Sequence, residues 1–551
     1  MDLRDFSRPY LEILEARTLL SVTVLKSFAG LSYTDDPRYQ PPDADAAAGP
    51  DTIVETVNAT VRFFDKSTGA PLFSERLEDF FAPLKPGAFV FDPVVTYDDM
   101  AGRFFLAALD GGGSLDFAVS DSSNPFDGFT EMHQVDLYET DAQGHPLFSD
   151  YPKLGFNADA YVLTVNMLEA DRTTHDHVQI ITIDKSSVLD ANPNTLREYQ
   201  VDRTDPAIAT MAAAPMHGSA PGGPMYFVVV SPLQGGDSVR VVQMTNELSD
   251  SPTFTDVAIP VPPFDAPPLA VHPGGTIETF ENFILNADWR NNQLVATQHV
   301  GSEGVVRVRW YEFATGAGTP ALIQSGEINQ GPGVSTYFSA IAVADNGDLG
   351  LTFMESSATE FVSMYITGRN ASDPPGTMQT PLAVFPGENR YGGARGGDYS
   401  AVTVDPIDGT FWAANMYTPS FAFWGTGIAN FALTDFAPPP IPGTMPPSSL
   451  AAVRGTARFC EPPLNVEFGI LGPASAAIPS NQLLQLARTG QDIETDALPP
   501  GPQHAVVAEV IIHNRERPLD SLNAGKIRQR ARDPKNDSSH EQEHFQTFPE
   551  G

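Results

Sequence analysis

Cysteine is nearly missing from this sequence. Cys460 is the single one in 551 residues, so no disulfide can form within the chain, and its stability must come from core burial. Long apolar runs are missing too. No stretch approaches the ~18 apolar residues of a membrane-spanning helix, and the N-terminus lacks a standard apolar signal core. Basic residues are scarce: Lys and Arg number 32 against 69 Asp and Glu, for a net charge of −37. A body this acidic repels phosphate backbones, which argues against nucleic acid as a partner. The acidity itself reads as a solvated surface rather than a calcium store. There is no Gly-x-Ser-x-Gly elbow, and Cys460 has no catalytic signature around it. The Gly-rich stretch at 392–400, GGARGGDYS, lacks the Lys-Ser/Thr of a phosphate-binding loop and reads as the entry to a strand unit.

What the chain does hold is turn residues, Gly 45 and Pro 49, and one pattern repeated. DPVVTYDDMAGRFFLAALD at 92–110 is an alternating apolar run, an Asp-centred turn and a second apolar run. Imperfect copies start near 151, 282, 337 and 398. Asp98, Asp288 and Asp405 each stand six residues before an apolar residue of the next run: Phe104, Leu294 and Phe411. Alternation puts successive side chains on opposite faces of a strand, and Asp, Asn and Gly suit the joining turns. A degenerate copy near Met216 and one upstream unit at 52–73 bring the count to about seven. The fold expected is all-β: a β-propeller of about seven four-stranded blades. A sandwich is the alternative, but it does not require a steady period.

A propeller must join its first and last blades, or it leaves an unpaired edge. The last copy supplies three strands, and SVTVLKSF at 21–28 is the unused alternating run upstream. Residues 22–28 are therefore expected to form the outer strand of the blade holding 399–432. The competing closure is AVVAEVIIH at 505–513. The segment PPDADAAAGP at 41–50 carries Asp43 and Asp45 but lacks the Gly and Glu of a calcium loop, and reads as a Pro-rich connector.

YLEILEARTLLSV at 10–22 resembles the LEPR-XLL segment near the N-terminus of exported planctomycete-type proteins. The match is carried by Leu14, Glu15, Arg17, Leu19, Leu20 and Ser21, with Ala16 a departure. From residue 22, SFAGLSYTDD, the 92–110 unit, YPKLGFNADAYVLTVNM and DYSAVTVDPIDGTFWAANMY are similar to an uncharacterised group of exported bacterial β-propellers. That resemblance implies fold and export, and no activity. The expected organisation is an export segment at 1–21 and a propeller at 22–432. A Pro-rich linker at 433–449, an irregular extension at 450–512 and a charged, disordered tail at 513–551 form a poorly structured C-terminal extension.

Several short signals point to chemistry. HEQEH, His540 to His544, has zinc-protease spacing, but it lies in the polar tail with no third ligand downstream. SDSSNPFDGFT at 120–130 is a partial Asp-box of the sialidase-like fold, and reads as a turn between strands. His175 and His177 alternate onto one strand face, which suits a metal; they are read as a solvent-exposed pair at a hairpin end. His217, His272 and His299 are isolated. No catalytic residue, metal ligand or cofactor is assigned. If a ligand binds, the residues entering the innermost strands ring the channel mouth, which selects Asp92, Lys153, Arg395 and Asp398. The alternative is that these are solvated loop charges.

The leading expectation is an exported, acidic binding scaffold, extracellular or envelope-associated in a bacterium, with a glycan or protein as its partner. The alternative is a secreted glycan-active hydrolase or lyase working at the propeller mouth. Carboxylates clustered in the channel with Arg or Tyr would favour the enzyme. Apolar plugs with dispersed polar groups would favour the scaffold.

Overall fold

The computed structural model describes residues 22–433, apart from 36–38, 88, 190–195, 206–207, 231–233, 281, 317 and 422, and three strands beyond residue 440. The LEPR-XLL-like segment, the Pro-rich linker from residue 434, Cys460, the HEQEH motif and the tail from 514 lie outside the described residues. The chain divides into two units, Met1–Pro439 and Pro440–Gly551.

The first unit is a seven-bladed β-propeller. In blade 2 the chain runs out from the axis through Val90–Asp98, Arg103–Asp110, Ser114–Val119 and Glu131–Asp136, each antiparallel to the last. Blade 3 (148–203) and blade 6 (334–385) repeat that order. Blades 4 (212–265) and 5 (284–327) also have four strands each. They are tied into one sheet by Met216–His217 beside Trp289–Arg290, and by Asp265 opposite Gly301. The Asp-box-like stretch is the turn between the third and fourth strands of blade 2, where Thr130 donates from its backbone and hydroxyl to Asp121.

Blade 1 corrects the reading of 41–50 as a connector. Asp45–Ala48 is its inner strand, paired with Thr52–Val57. A four-residue strand of three alanines carries almost no periodic signal. Small side chains suit it because inner strands crowd the axis, as Ala212–Ala213 does in blade 4.

The ring closes as the sequence indicates. Thr23–Ser32 runs antiparallel to Gly425–Ala432, with Thr23 opposite Ala432 and Phe28 opposite Ile428. Val22 is buried, and Val24, Lys26 and Phe28 are half-buried, whereas Thr23, Leu25 and Ser27 face solvent. Glu55 of blade 1 fastens the seam. Its buried carboxylate accepts from the Leu31 N–H (2.8 Å) and the Thr426 hydroxyl (2.5 Å). In the second unit, Gly455–Ala457, Asn465–Leu471 and Val507–His513 form a three-stranded antiparallel sheet inside the segment expected to be irregular. Residues 507–513 thus pair with 465–471, not with the ring.

Blades pack face to face through apolar side chains. Phe105 and Phe117 of blade 2 meet Tyr161 and Leu163 of blade 3, and the Phe105 and Tyr161 rings lie 4.4 Å apart. Each large side chain buried this way contributes about 1.5–3 kcal/mol.

The repeated turn Asp adds a polar latch from one blade to the next. Asp98 of blade 2 receives the Tyr161 hydroxyl (3.0 Å) and pairs with Lys185 (2.5 Å), both in blade 3. Asp288 of blade 5 accepts from Val343 N–H of blade 6 (2.8 Å). Asp405 of blade 7 pairs with Lys66 of blade 1 (3.0 Å). The motif that marks the period in the sequence therefore also bolts neighbouring blades together.

Candidate functional site at the channel mouth

One residue in each blade enters, or lies just before, the inner strand in the left-handed backbone region. The seven are Asp43 (φ 51°), Asp92 (49°), Tyr151 (56°), Thr210 (58°), Phe280 (54°), Phe338 (44°) and Asp398 (67°). None is glycine, so each costs about 1–3 kcal/mol of backbone strain. In blades 2, 3 and 6 the ladder slips at this point, between Phe91 and Val94, Asp150 and Lys153, and Tyr337 and Ala340. Such a bulge re-aims a side chain that would otherwise lie within the sheet. Gly397, just before Asp398, is required for a further reason: a Cβ there would collide with the Phe338 ring.

The re-aimed side chains meet across the axis. The Tyr151 hydroxyl of blade 3 donates to the Asp398 carbonyl at the entry to blade 7 (2.9 Å). The Tyr399 hydroxyl donates to Asp92 of blade 2 (3.3 Å), which also accepts from the Tyr151 N–H (3.2 Å). Blade 7 neighbours neither blade 2 nor blade 3 in the ring, so these bonds are made at the channel itself.

The four residues selected from the sequence thus come together, and two of them are not solvated charges. Lys153 and Asp398 are buried, Asp92 is partly buried, and the Arg395 side chain is 47 % exposed. Arg395 pairs with Asp398 (2.5 Å) and its guanidinium lies over the Phe280 ring. The Lys153 ammonium sits 4.0 Å from the Tyr151 ring centre and 4.3 Å from that of Tyr399, close enough for cation–π attraction.

Asp43, Asp150, Tyr151 and Tyr399 complete the cluster, and sequence reasoning missed them. The echo alignment contained the signal, because Asp43, Asp92, Tyr151 and Asp398 stand at the same point of their units. Asp43 was lost with the supposed connector.

Four carboxylates share this space with two cations, and the electrostatics follow. Burial, then repulsion from Asp92 and Asp398, raises Asp43 well above the carboxylate range. Burial raises Asp92 to about 6, with Asp398 adding to it. Burial and Asp92 raise Asp150 to about 7. Asp398 is pushed to about 7 by burial despite Arg395. Burial lowers Lys153 to about 8 against the pull of Asp45 and Asp398. One oxygen of Asp43 and one of Asp398 have no hydrogen-bond partner. The mouth is therefore acidic, short of donors and floored by aromatic rings. Of the two patterns weighed from the sequence, the first is present: carboxylates clustered with Arg395, Tyr151 and Tyr399, the polar groups not dispersed.

Two of the isolated histidines, His299 and His217, have structural partners here, whereas neither ring nitrogen of buried His272 has a hydrogen-bond partner. Buried His299 accepts at Nε2 from the Phe338 N–H (2.5 Å) and bonds the Thr279 carbonyl through Nδ1 (2.9 Å). His217 bonds Asp99 (2.9 Å). His177 is not the solvent-exposed group expected: it is 4 % exposed. Among the described residues no helix is long and apolar enough to cross a membrane.

Strand order and pairing define a seven-bladed β-propeller. The solved structures it resembles include the WD40 domain of SCAP from fission yeast (8 % identity, covering 75 % of this chain and 95 % of that one, TM-score 0.34). Others are the β-propeller domain of Cps50 (Swd1) from Myceliophteria thermophila (10 %, 74 % and 99 %, 0.38) and Drosophila Semaphorin 1b, extracellular domains 1-2 (7 %, 74 % and 87 %, 0.35). At these values no residue's role carries over, and the fold rests on the strand topology above. No family model matches the chain, and no curated protein matches it in sequence.

Proposed function

We propose that the protein is an exported, envelope-associated binding scaffold that holds a neutral or amino sugar of a glycan in the channel mouth. The observation that carries this reading is the convergence of Asp43, Asp92, Asp150 and Asp398 with Arg395 around an aromatic floor. Sugar hydroxyls both donate and accept. Asp92 and Asp150, which reach the surface, supply acceptors, and Arg395 supplies donors. Phe280 and the tyrosines give the apolar body that such pockets need. Excess carboxylate repels anionic sugars and favours an ammonium substituent. Export rests on the LEPR-XLL-like segment at 10–22.

A second reading, a glycan-active hydrolase or lyase, is favoured by that clustering of carboxylates with Arg395 and Tyr151 and by their hold on protons. Carboxyls raised to about 6 and 7 at Asp92, Asp150 and Asp398 stay partly protonated near neutrality, as a general acid requires. A glycan array probed with the whole protein, followed by calorimetry on the strongest saccharide, tests both readings. The expected result is binding that weakens at least tenfold in Arg395→Ala and Asp92→Asn, with the saccharide intact afterwards. Cleavage lost in Asp92→Asn establishes the enzyme instead, and binding unchanged in both variants overturns the site.

A further inference from the structure

Away from the mouth, the connector between blades 2 and 3 brings Glu139 against two strands of blade 3, with His177 on one and Asp202 on the other. His177 Nε2 lies 3.2 Å from Glu139 Oε2 and 3.6 Å from Asp202 Oδ1. Its side chain is 5 % exposed, and Nε2 has no hydrogen-bond partner. We propose that Glu139, His177 and Asp202 form a divalent transition-metal site, of the zinc class, that clips the connector to the blade.

Three features support this. Tetrahedral zinc bound at ordinary N and O distances places its ligand atoms about 3.3 Å apart, and the two separations bracket that value. His177 Nδ1 bonds Asp176 (2.7 Å). Asp176 can only accept there, so the proton sits on Nδ1 and the Nε2 lone pair faces Glu139 and Asp202, as in carboxylate–histidine–metal sites. Gln179 donates to Glu139 Oε1 (2.5 Å), which turns Oε2 toward the imidazole. Charge points the same way. Glu139, Asp176 and Asp202 surround one imidazole that supplies at most a single positive charge. The three ligand atoms lie within 4.8 Å of one another, a unique grouping among the described residues. His175, on the same strand and half-buried, has no hydrogen-bond partner at either ring nitrogen.

The test uses the full chain carrying His540→Ala and His544→Ala, which removes the tail histidines as competing ligands. Zn²⁺ and, separately, Mg²⁺ are titrated by calorimetry, and Co²⁺ is added as an optical reporter. The expected result is one equivalent of Zn²⁺ bound, no Mg²⁺ heat, and a tetrahedral Co²⁺ spectrum. The Zn²⁺ binding and the Co²⁺ spectrum should be lost in His177→Ala, and the Zn²⁺ affinity weakened at least tenfold in Glu139→Gln, a variant that keeps the side-chain shape. Zn²⁺ should also protect the 137–147 connector from proteolysis. An ion-pair cluster alone gives no stoichiometric Zn²⁺ binding, or binding equal in the parent and Glu139→Gln, and either result overturns the site.

Discussion

Replacing Asp98 by Ala should cost on the order of 4 kcal/mol. Asp98 is fully buried and meets the Lys185 ammonium at 2.5 Å and the Tyr161 hydroxyl at 3.0 Å, both from the next blade. Removing it leaves a cation whose side chain is 5 % exposed without its contacting counter-charge, with Asp99 and Asp159 acting only from farther off. Breaking a buried pair from one side costs about 3–5 kcal/mol. Tyr161 loses its acceptor, which adds about 1 kcal/mol. The N–H groups of Met100 and Ala101, which also bond Asp98, sit in a turn where water can replace it. Lys185 keeps its place over the Phe156 and Tyr161 rings, which offsets part of the loss. Urea unfolding followed by tryptophan fluorescence reads the change, since Trp289, Trp310, Trp412 and Trp424 are all buried. The double variant Asp98→Ala/Lys185→Met should recover most of the stability, because no orphaned charge remains. A loss below about 1 kcal/mol in the single variant, or no recovery in the double, would refute the latch.

Deleting residues 22–28 should lower the melting temperature far more than deleting 514–551, because only the first reopens the ring; equal losses would argue against closure by this strand. Gly30→Val should destabilise by about 2 kcal/mol through overpacking, since a Cβ there enters the space of the Glu55 carboxylate and the Thr426 hydroxyl; an unchanged urea midpoint would contradict the tight seam. The raised carboxylates of the mouth set a pH dependence. Asp92, Asp150 and Asp398 hold protons in the fold that the unfolded chain has released, so between about pH 4 and 7 stability should fall as pH rises. Asp43→Asn, which tolerates the left-handed backbone and removes a carboxyl whose ionisation the fold opposes through burial, should raise the melting temperature at pH 8 and leave it nearly unchanged at pH 4. An equal effect at both pH values would show that the charge is not the cause.

Periodicity made the fold legible. Alternating runs and turn aspartates recur once per blade, and the leftover strand at 21–28 required a partner. Blade 1 lost its inner strand in that reading because Asp45–Ala48 is too short and too alanine-rich to show alternation. The mouth was half legible. Position in the repeat selected Asp92, Lys153, Arg395 and Asp398, but the bulge at Tyr151 and the left-handed turn at Asp398 that precedes Tyr399 are backbone events with no residue type of their own. Of the Glu139–His177–Asp202 group only His177 was legible, as a strand-face histidine suited to a metal, because a loop and a second strand far apart in sequence supply the rest.

The most direct test of a ligand site in the channel is a crystal structure of the protein soaked with the saccharide that ranks highest on the array. Sugar density is expected at the mouth, with hydroxyls bonded to Asp92 and Asp150, Arg395 donating, and Phe280 alongside. Density on a blade edge, with the mouth side chains where they stand without ligand, would contradict it.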